Sequence, residues 1–216
     1  MTIKLTYFDA RGRAEVIRLI LEETKTPYTD ELIPLEQWGS LKPTFPLQQL
    51  PIYEDGDNYL FQSHAIYRHL GRKHNLYGKN ESEHVRCDII EETCKDIKNV
   101  LFGLFWNPEF EKLRDQFESE QLPVFVKQLE KLLIDNSESD IYFVGDSLTY
   151  VDVVVWSLLD YIRPFSQASL DESPSLMTFK KAFEERPHIA EYLKSPRRAK
   201  TLTVSMAFFG GTQETS

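Results

Sequence analysis

The chain has 216 residues, 41% hydrophobic and 12% aromatic, enough for a packed core in one large domain or two of about 100 residues. Its net charge of −9 and pI near 5.1 argue against a nucleic-acid or anionic-membrane surface, since both need clustered cations. No apolar run approaches the roughly 20 residues that span a bilayer, the N-terminus lacks a signal-peptide stretch, and Cys87 and Cys94 stand two helical turns apart, too far for a disulfide. The expectation is a reduced, cytoplasmic protein with no nucleic-acid or membrane partner.

Residues 3–8 set Ile3, Leu5 and Tyr7 against Lys4, Thr6 and Phe8, a strand alternation. Arg11-Gly12-Arg13 reads as a turn. A helix follows from Ala14, burying Ile17, Ile20 and Leu21 and ending at Pro27. Tyr28 to Ile33 gives a second strand, which the intervening helix makes a parallel neighbour of the first. Residues 36–48, with Pro43 and Pro46, look irregular.

The stretch from Gln49 to Leu70 is the most informative. Ile52-Tyr53 and Tyr59-Leu60-Phe61 flank Asp55-Gly56-Asp57, a hairpin signal. The period then changes to helical, with Ile66 and Leu70 on one face and Ser63 where an N-cap belongs. Such a helix start can hold a carboxylate or phosphate. Pro51 sits where a strand starts, which suits a strand entry or an edge, and composition alone favours a trans bond before it.

Strand, helix, strand, irregular segment, hairpin and helix in this order spell a thioredoxin-like α/β domain over residues 1–75. Residues 76–82 read as a linker containing Gly78, and residues 83–216 as an all-helical domain. Long helices are expected over 82–105 and 112–134, the second kinked or split by Pro123, with short helices beginning at Pro174, Pro187 and Pro196. Thr149 and Asp152 form a capping-box pattern before an apolar helix from Val153 to Tyr161. That motif concerns folding. His64, His69, His74, His84 and His188 are scattered, so no metal site is expected.

Tyr7, the Arg11–Arg13 turn, Trp38, Lys42, Gln49-Leu50-Pro51, Gln62-Ser63 and the capped Asp152 helix together resemble a cytosolic glutathione transferase, over residues 3 to about 200. The pi class is nearest, through Tyr-Phe-x-x-Arg-Gly-Arg, Asp-Gly-Asp, Arg-His-Leu-Gly-Arg and Leu-Tyr-Gly-Lys; Arg-Gly-Arg-Ala-Glu and Lys-Pro-Thr also suit the sigma class. The resemblance implies a homodimeric, detoxifying enzyme with glutathione as co-substrate and no permanently bound cofactor.

It also implies roles. Tyr7 would hydrogen-bond the glutathione sulfur and favour the thiolate, which is the nucleophile. Arg13 would raise the local potential. Ser63 and Gln62 would hold the γ-glutamyl end, Leu50 before a cis Pro51 the cysteinyl backbone, and Trp38, Lys42 and Gln49 the glycyl end. Asp96 would reach glutathione in the other subunit. The electrophile would sit against Phe8, Ala10, Leu35, Phe102 and Trp106, with the tail after Ser205 closing over it.

The sequence departs from the pi pattern at Trp106, which stands for a hydroxyl-bearing tyrosine, and at Phe45 and Leu47 near the expected dimer contact. A thioredoxin-type redox enzyme is disfavoured because residues 9–14 contain no cysteine. A non-catalytic ligand carrier and a sigma-like isomerase are the other readings.

Overall fold

The computed structural model describes residues 2–211; Met1 and residues 212–216, the outer ends of the two expected domain ranges, lie outside the described residues. Strand β1 (Ile3–Phe8) leads into helix α1 (Glu15–Glu23) and strand β2 (Tyr28–Ile33). Short helical turns fill residues 35–48, the longest being α2 (Trp38–Leu41). The hairpin β3 (Ile52–Asp55) and β4 (Asn58–Phe61) and helix α3 (Ser63–Lys73) complete a thioredoxin-like α/β unit.

The four strands lie in the order β2-β1-β3-β4, with β1 parallel to β2 and antiparallel to β3. Asp55 pairs with Asn58, so the hairpin loop is the dipeptide Gly56-Asp57, and Gly56 takes the positive φ of 60° that a tight hairpin turn needs. The Leu50–Pro51 peptide before β3 is cis.

Every further regular element among the described residues is a helix. Helix α4 (Glu81–Phe105) starts under an N-cap in which Asn80 accepts from the Glu83 amide at 3.1 Å. Then come α5 (Phe110–Gln116), α6 (Leu122–Ile134) and α7 (Tyr150–Phe165). Helices α8 (Gln167–Asp171), α9 (Pro174–Glu184) and α10 (Pro187–Lys194) precede a non-helical tail. Residues 150–159 are all buried, so α7 runs through the molecule's centre, as its apolar circumference predicts.

Asp152 ties that helix to the preceding loop. Its Oδ2 accepts from the Thr149 amide at 2.7 Å and hydroxyl at 2.9 Å, and its Oδ1 accepts from the Phe143 amide at 2.8 Å.

A buried ion network joins α1 to the second domain. Arg18 pairs with Asp30 at 2.7 Å, Arg198 with Glu15 at 2.8 Å and Asp160 at 2.6 Å, and Arg11 with Asp160 at 3.2 Å. The turn after β1 is thereby fixed against α7.

Four expectations change. Ser63 is not the N-cap of α3 but its first helical residue; Gln62 occupies the cap with φ 71° and no side-chain cap bond. The helix expected over 112–134 is two α-helices joined by a π-turn at Phe117–Gln121, and Pro123 sits in the first turn of α6, where its missing amide is harmless. Helix α7 starts three residues earlier and runs past Tyr161, with Pro164 in its last turn. Pro196 begins no helix and follows α10.

Candidate active site

Tyr7 projects from the carboxyl end of β1 and is 8% exposed. The chain turns back over it at Gly12, where φ is +48° and a Cβ would meet Tyr7 Cε1 at 2.5 Å. Only glycine meets both demands. The turn brings the Arg13 amide to the phenol, donating to Tyr7 Oη at 3.0 Å.

This bond decides what the phenol can do. Burial pushes the Tyr7 pKa up, against the opposing pull of the Arg13 amide, so the hydroxyl keeps its proton at neutral pH. Its oxygen already accepts from Arg13, which leaves the O–H free to donate to a ligand atom.

Tyr7 lines two adjoining cavities of opposite character. The first, of about 460 Å³, is bounded by Tyr7, Arg13, Trp38, Lys42, Gln49, Leu50, Gln62 and Ser63, with Gln48, His64, Lys95 and Asn99. None of these residues is acidic, although the chain carries −9 overall. The cations Arg13 and Lys42 therefore select for an anion, while Lys95 is paired with Glu92 at 2.6 Å. Its floor is the start of α3, where the first intrahelical amide bond is Ile66 to the Gln62 carbonyl, so the Ser63, His64 and Ala65 amides are free for a ligand. Across it, Gln62 donates to Gln49 at 3.4 Å.

The second cavity, of about 200 Å³, is apolar. Phe8, Ala10, Leu35, Phe102 and Trp106 line it with Tyr7, Gly12, Trp38, Thr203, Val204 and Met206. The Trp38 ring packs edge-on against Phe8 at 5.3 Å and forms part of both walls. The tail closes this side: the Phe208 amide donates to the Phe105 carbonyl at 2.8 Å, and the Phe209 ring packs against Phe105 at 4.7 Å, tilted by 42°.

Two sequence expectations fall outside these walls. Pro51 is buried behind Leu50 at the start of β3 and does not line the first cavity. Asp96 is exposed on α4 and borders a separate groove with Thr93, Val100, Phe125 and Lys131. The residues of α4 and its C-cap that do face the cavities are Lys95, Asn99, Phe102 and Trp106. They recur at helical spacing, so stepping back from Phe102 and Trp106 by turns would have found Lys95 and Asn99. His64 had no such signal, because its partner lies on another helix. Thr203, Val204 and Met206 enter through the tail, whose path no local pattern announces.

Comparison with known proteins gives the family. A family model described as the glutathione S-transferase N-terminal domain matches residues 3–72, and one described as the C-terminal domain of the same family matches residues 95–196. Glutathione S-transferase Mu 7 of Rattus norvegicus is 36% identical, covering 97% of this chain and 99% of its own. Glutathione S-transferase P of Caenorhabditis elegans is also 36% identical, covering 89% of this chain and 92% of its own. A solved pi-class glutathione S-transferase of Onchocerca volvulus superposes with TM-score 0.88 at 32% identity, covering 96% of this chain and all of that one.

Proposed function

The chain belongs to the glutathione S-transferase family and is a glutathione transferase; within that activity we propose that Tyr7 generates the nucleophile. The observation that carries the proposal is the place of Tyr7 at the boundary of a cationic cavity and an apolar one. Glutathione, an anionic tripeptide, fills the first, and a hydrophobic electrophile fills the second, so the sulfur lies between them beside the phenol.

The Tyr7 O–H, held by the Arg13 amide on its oxygen, donates to the sulfur and favours the thiolate. The thiol proton leaves to solvent. The thiolate attacks the electrophilic carbon, a carbon–sulfur bond forms, and a leaving group such as chloride departs with its electron pair. Arg13 adds positive potential. Ser63 and Gln62 hold the γ-glutamyl end, Leu50 before cis Pro51 pairs with the cysteinyl backbone, and Trp38, Lys42 and Gln49 hold the glycyl carboxylate. Trp106 supplies an indole N–H where an acid would be needed, which restricts the chemistry to acceptors that require no protonation.

The same reading includes a pi-like homodimer in the cytoplasm, divided at residues 1–75, 76–82 and 83–216. Exposed Tyr59 and Phe61 on β4, exposed Val85 and Ile89 on α4, and the free, buried Cys87 and Cys94 support it. Asp96, outside its own chain's cavity, would then serve the partner's glutathione.

The test is conjugation of glutathione to a chloronitrobenzene by wild type and Tyr7→Phe, with both checked for retention on immobilised glutathione. Loss of turnover with retention kept supports the role of Tyr7. Full turnover in Tyr7→Phe refutes it.

A further inference from the structure

One histidine joins the cationic cavity to a fully buried carboxylate. His64, the second residue of α3, lines the cavity beside Ser63. Its Nδ1 lies 2.9 Å from Oε1 of Glu91, which is wholly buried on α4. The other oxygen of Glu91 pairs with Arg68 of α3 at 2.5 Å and accepts from the Tyr150 hydroxyl of α7 at 3.1 Å. The His64 ring packs edge-on against Tyr67 at 5.2 Å, and Tyr67 donates to the Arg13 carbonyl at 2.5 Å.

These contacts fix the imidazole in position and in tautomer. A carboxylate only accepts, so Nδ1 carries the proton it donates to Glu91. Nε2 has no hydrogen-bond partner among the described residues and is not among their fully buried unpartnered atoms, so it is the nitrogen left free on a ring that lines the cavity.

We propose that His64, oriented by Glu91 from the second domain, is a glutathione-positioning residue that contacts the γ-glutamyl end of the peptide. The inference rests on the reading above that this cavity holds glutathione. The free amides at the start of α3 adjoin His64, and they are the natural seat of the γ-glutamyl α-carboxylate. In that tautomer Nε2 is an acceptor, and the γ-glutamyl ammonium is the donor it would meet. Glu91 thereby joins Lys95 and Asn99 in bringing α4 of the second domain to the peptide site.

The experiment measures KM and kcat for glutathione and for cysteinylglycine, which lacks the γ-glutamyl group, in wild type, His64→Ala and His64→Phe. A hydrogen bond to a charged ligand group corresponds to about tenfold in affinity. KM for glutathione is expected to rise about tenfold in both variants, with kcat within about twofold of wild type and the constants for cysteinylglycine unchanged. The phenylalanine retains a ring against Tyr67 without nitrogens, so recovery of KM in His64→Phe would reduce the role to packing and overturn the proposal. Unchanged KM in both variants, or equal effects on the two thiols, would also overturn it. Failure of wild-type protein to bind glutathione would instead refute the underlying reading of the cavity, and the inference with it.

Discussion

The Tyr161 hydroxyl, on the central helix of the second domain, donates to the Gly12 carbonyl at 2.9 Å in the turn that shapes the Tyr7 site. The same hydroxyl lies 3.3 Å from the Leu202 carbonyl, where the tail begins to close the apolar cavity. One buried phenol thus couples the turn, the tail and the domain contact. Tyr161→Phe is expected to lower stability by about 0.5–1.5 kcal/mol, the net worth of one hydrogen bond, since Lys98 still reaches the Gly12 carbonyl and the Gly12 amide still donates to the Leu202 carbonyl. It should also lower kcat, because the Arg13 amide that orients Tyr7 follows directly on Gly12. Thermal unfolding and steady-state conjugation check both; a Tm loss with kcat untouched would show the turn to be held by other contacts.

Gly12→Ala acts more directly. The new methyl meets the Tyr7 ring, and the residue is kept at a φ of +48° that alanine resists by about 1 kcal/mol. Relief requires the ring or the turn to move, and either breaks the bond between Tyr7 and the Arg13 amide. Turnover should fall by far more than the stability loss accounts for. Comparing kcat with Tm for this variant checks it; wild-type kcat would mean the phenol has freedom to shift without cost.

Much of this was legible in the chain, for physical reasons that differ by residue. Asp-Gly between two apolar runs reports a hairpin because the tight turn restricts its own residues, and Gly56 does adopt positive φ. Thr149 and Asp152 report a helix start because the capping partners are three residues apart. Ser63 misled for a related reason: the residue in the cap is Gln62, in a left-handed conformation that its side chain does not announce. Glu91 and His64 lie 27 residues apart and meet only when α3 packs on α4. Asp96 and Lys95 differ by one position, which on a helix turns the side chain by about 100°, enough to move it from one groove to another. Local patterns reveal elements; cavity walls assembled from β1, α3, α4 and the tail need the packing.

Asp152 accepts from two buried amides and one hydroxyl, and burial nonetheless pushes its pKa up to about 6. Asp152→Ala removes all three bonds and strands the Phe143 and Thr149 amides in the core. At about 1–3 kcal/mol for each orphaned donor, the loss should reach ~3 kcal/mol or more, a Tm drop near ~10 °C for a chain of this size. Thr149→Ala, which removes only the cap hydroxyl, should cost about 1 kcal/mol. Turnover of the folded fraction should be unchanged in both, since neither residue lines either cavity. A variant with wild-type Tm and lost turnover would contradict the folding role.

Lys98 is a buried cation beneath the same turn, 8% exposed, with Nζ 3.5 Å from the Gly12 carbonyl and 4.7 Å from the centre of the Tyr161 ring. Burial, reinforced by Arg13, pulls its pKa down to about 7 from an ordinary 10.5. Glu15 of α1, Cys94 of its own helix and Asp160 of α7 oppose that shift, and burial keeps the Cys94 thiol neutral by pushing its pKa up. Between these two pH values the unfolded chain holds the Lys98 proton and the folded chain has released it. Unfolding then takes up a proton, so this group's contribution to stability rises with pH from about 7 toward about 10.5. Below that window both states are protonated and the folded protein bears the full cost of a buried ammonium. Lys98→Met keeps most of the volume without the charge. Its stability relative to wild type should therefore be greatest below pH 7 and decline steadily toward pH 10. Urea midpoints for the two proteins across this range test the claim, because titrations remote from Lys98 cancel in the difference. Curves that run parallel would mean that Lys98 titrates alike in the folded and unfolded chain.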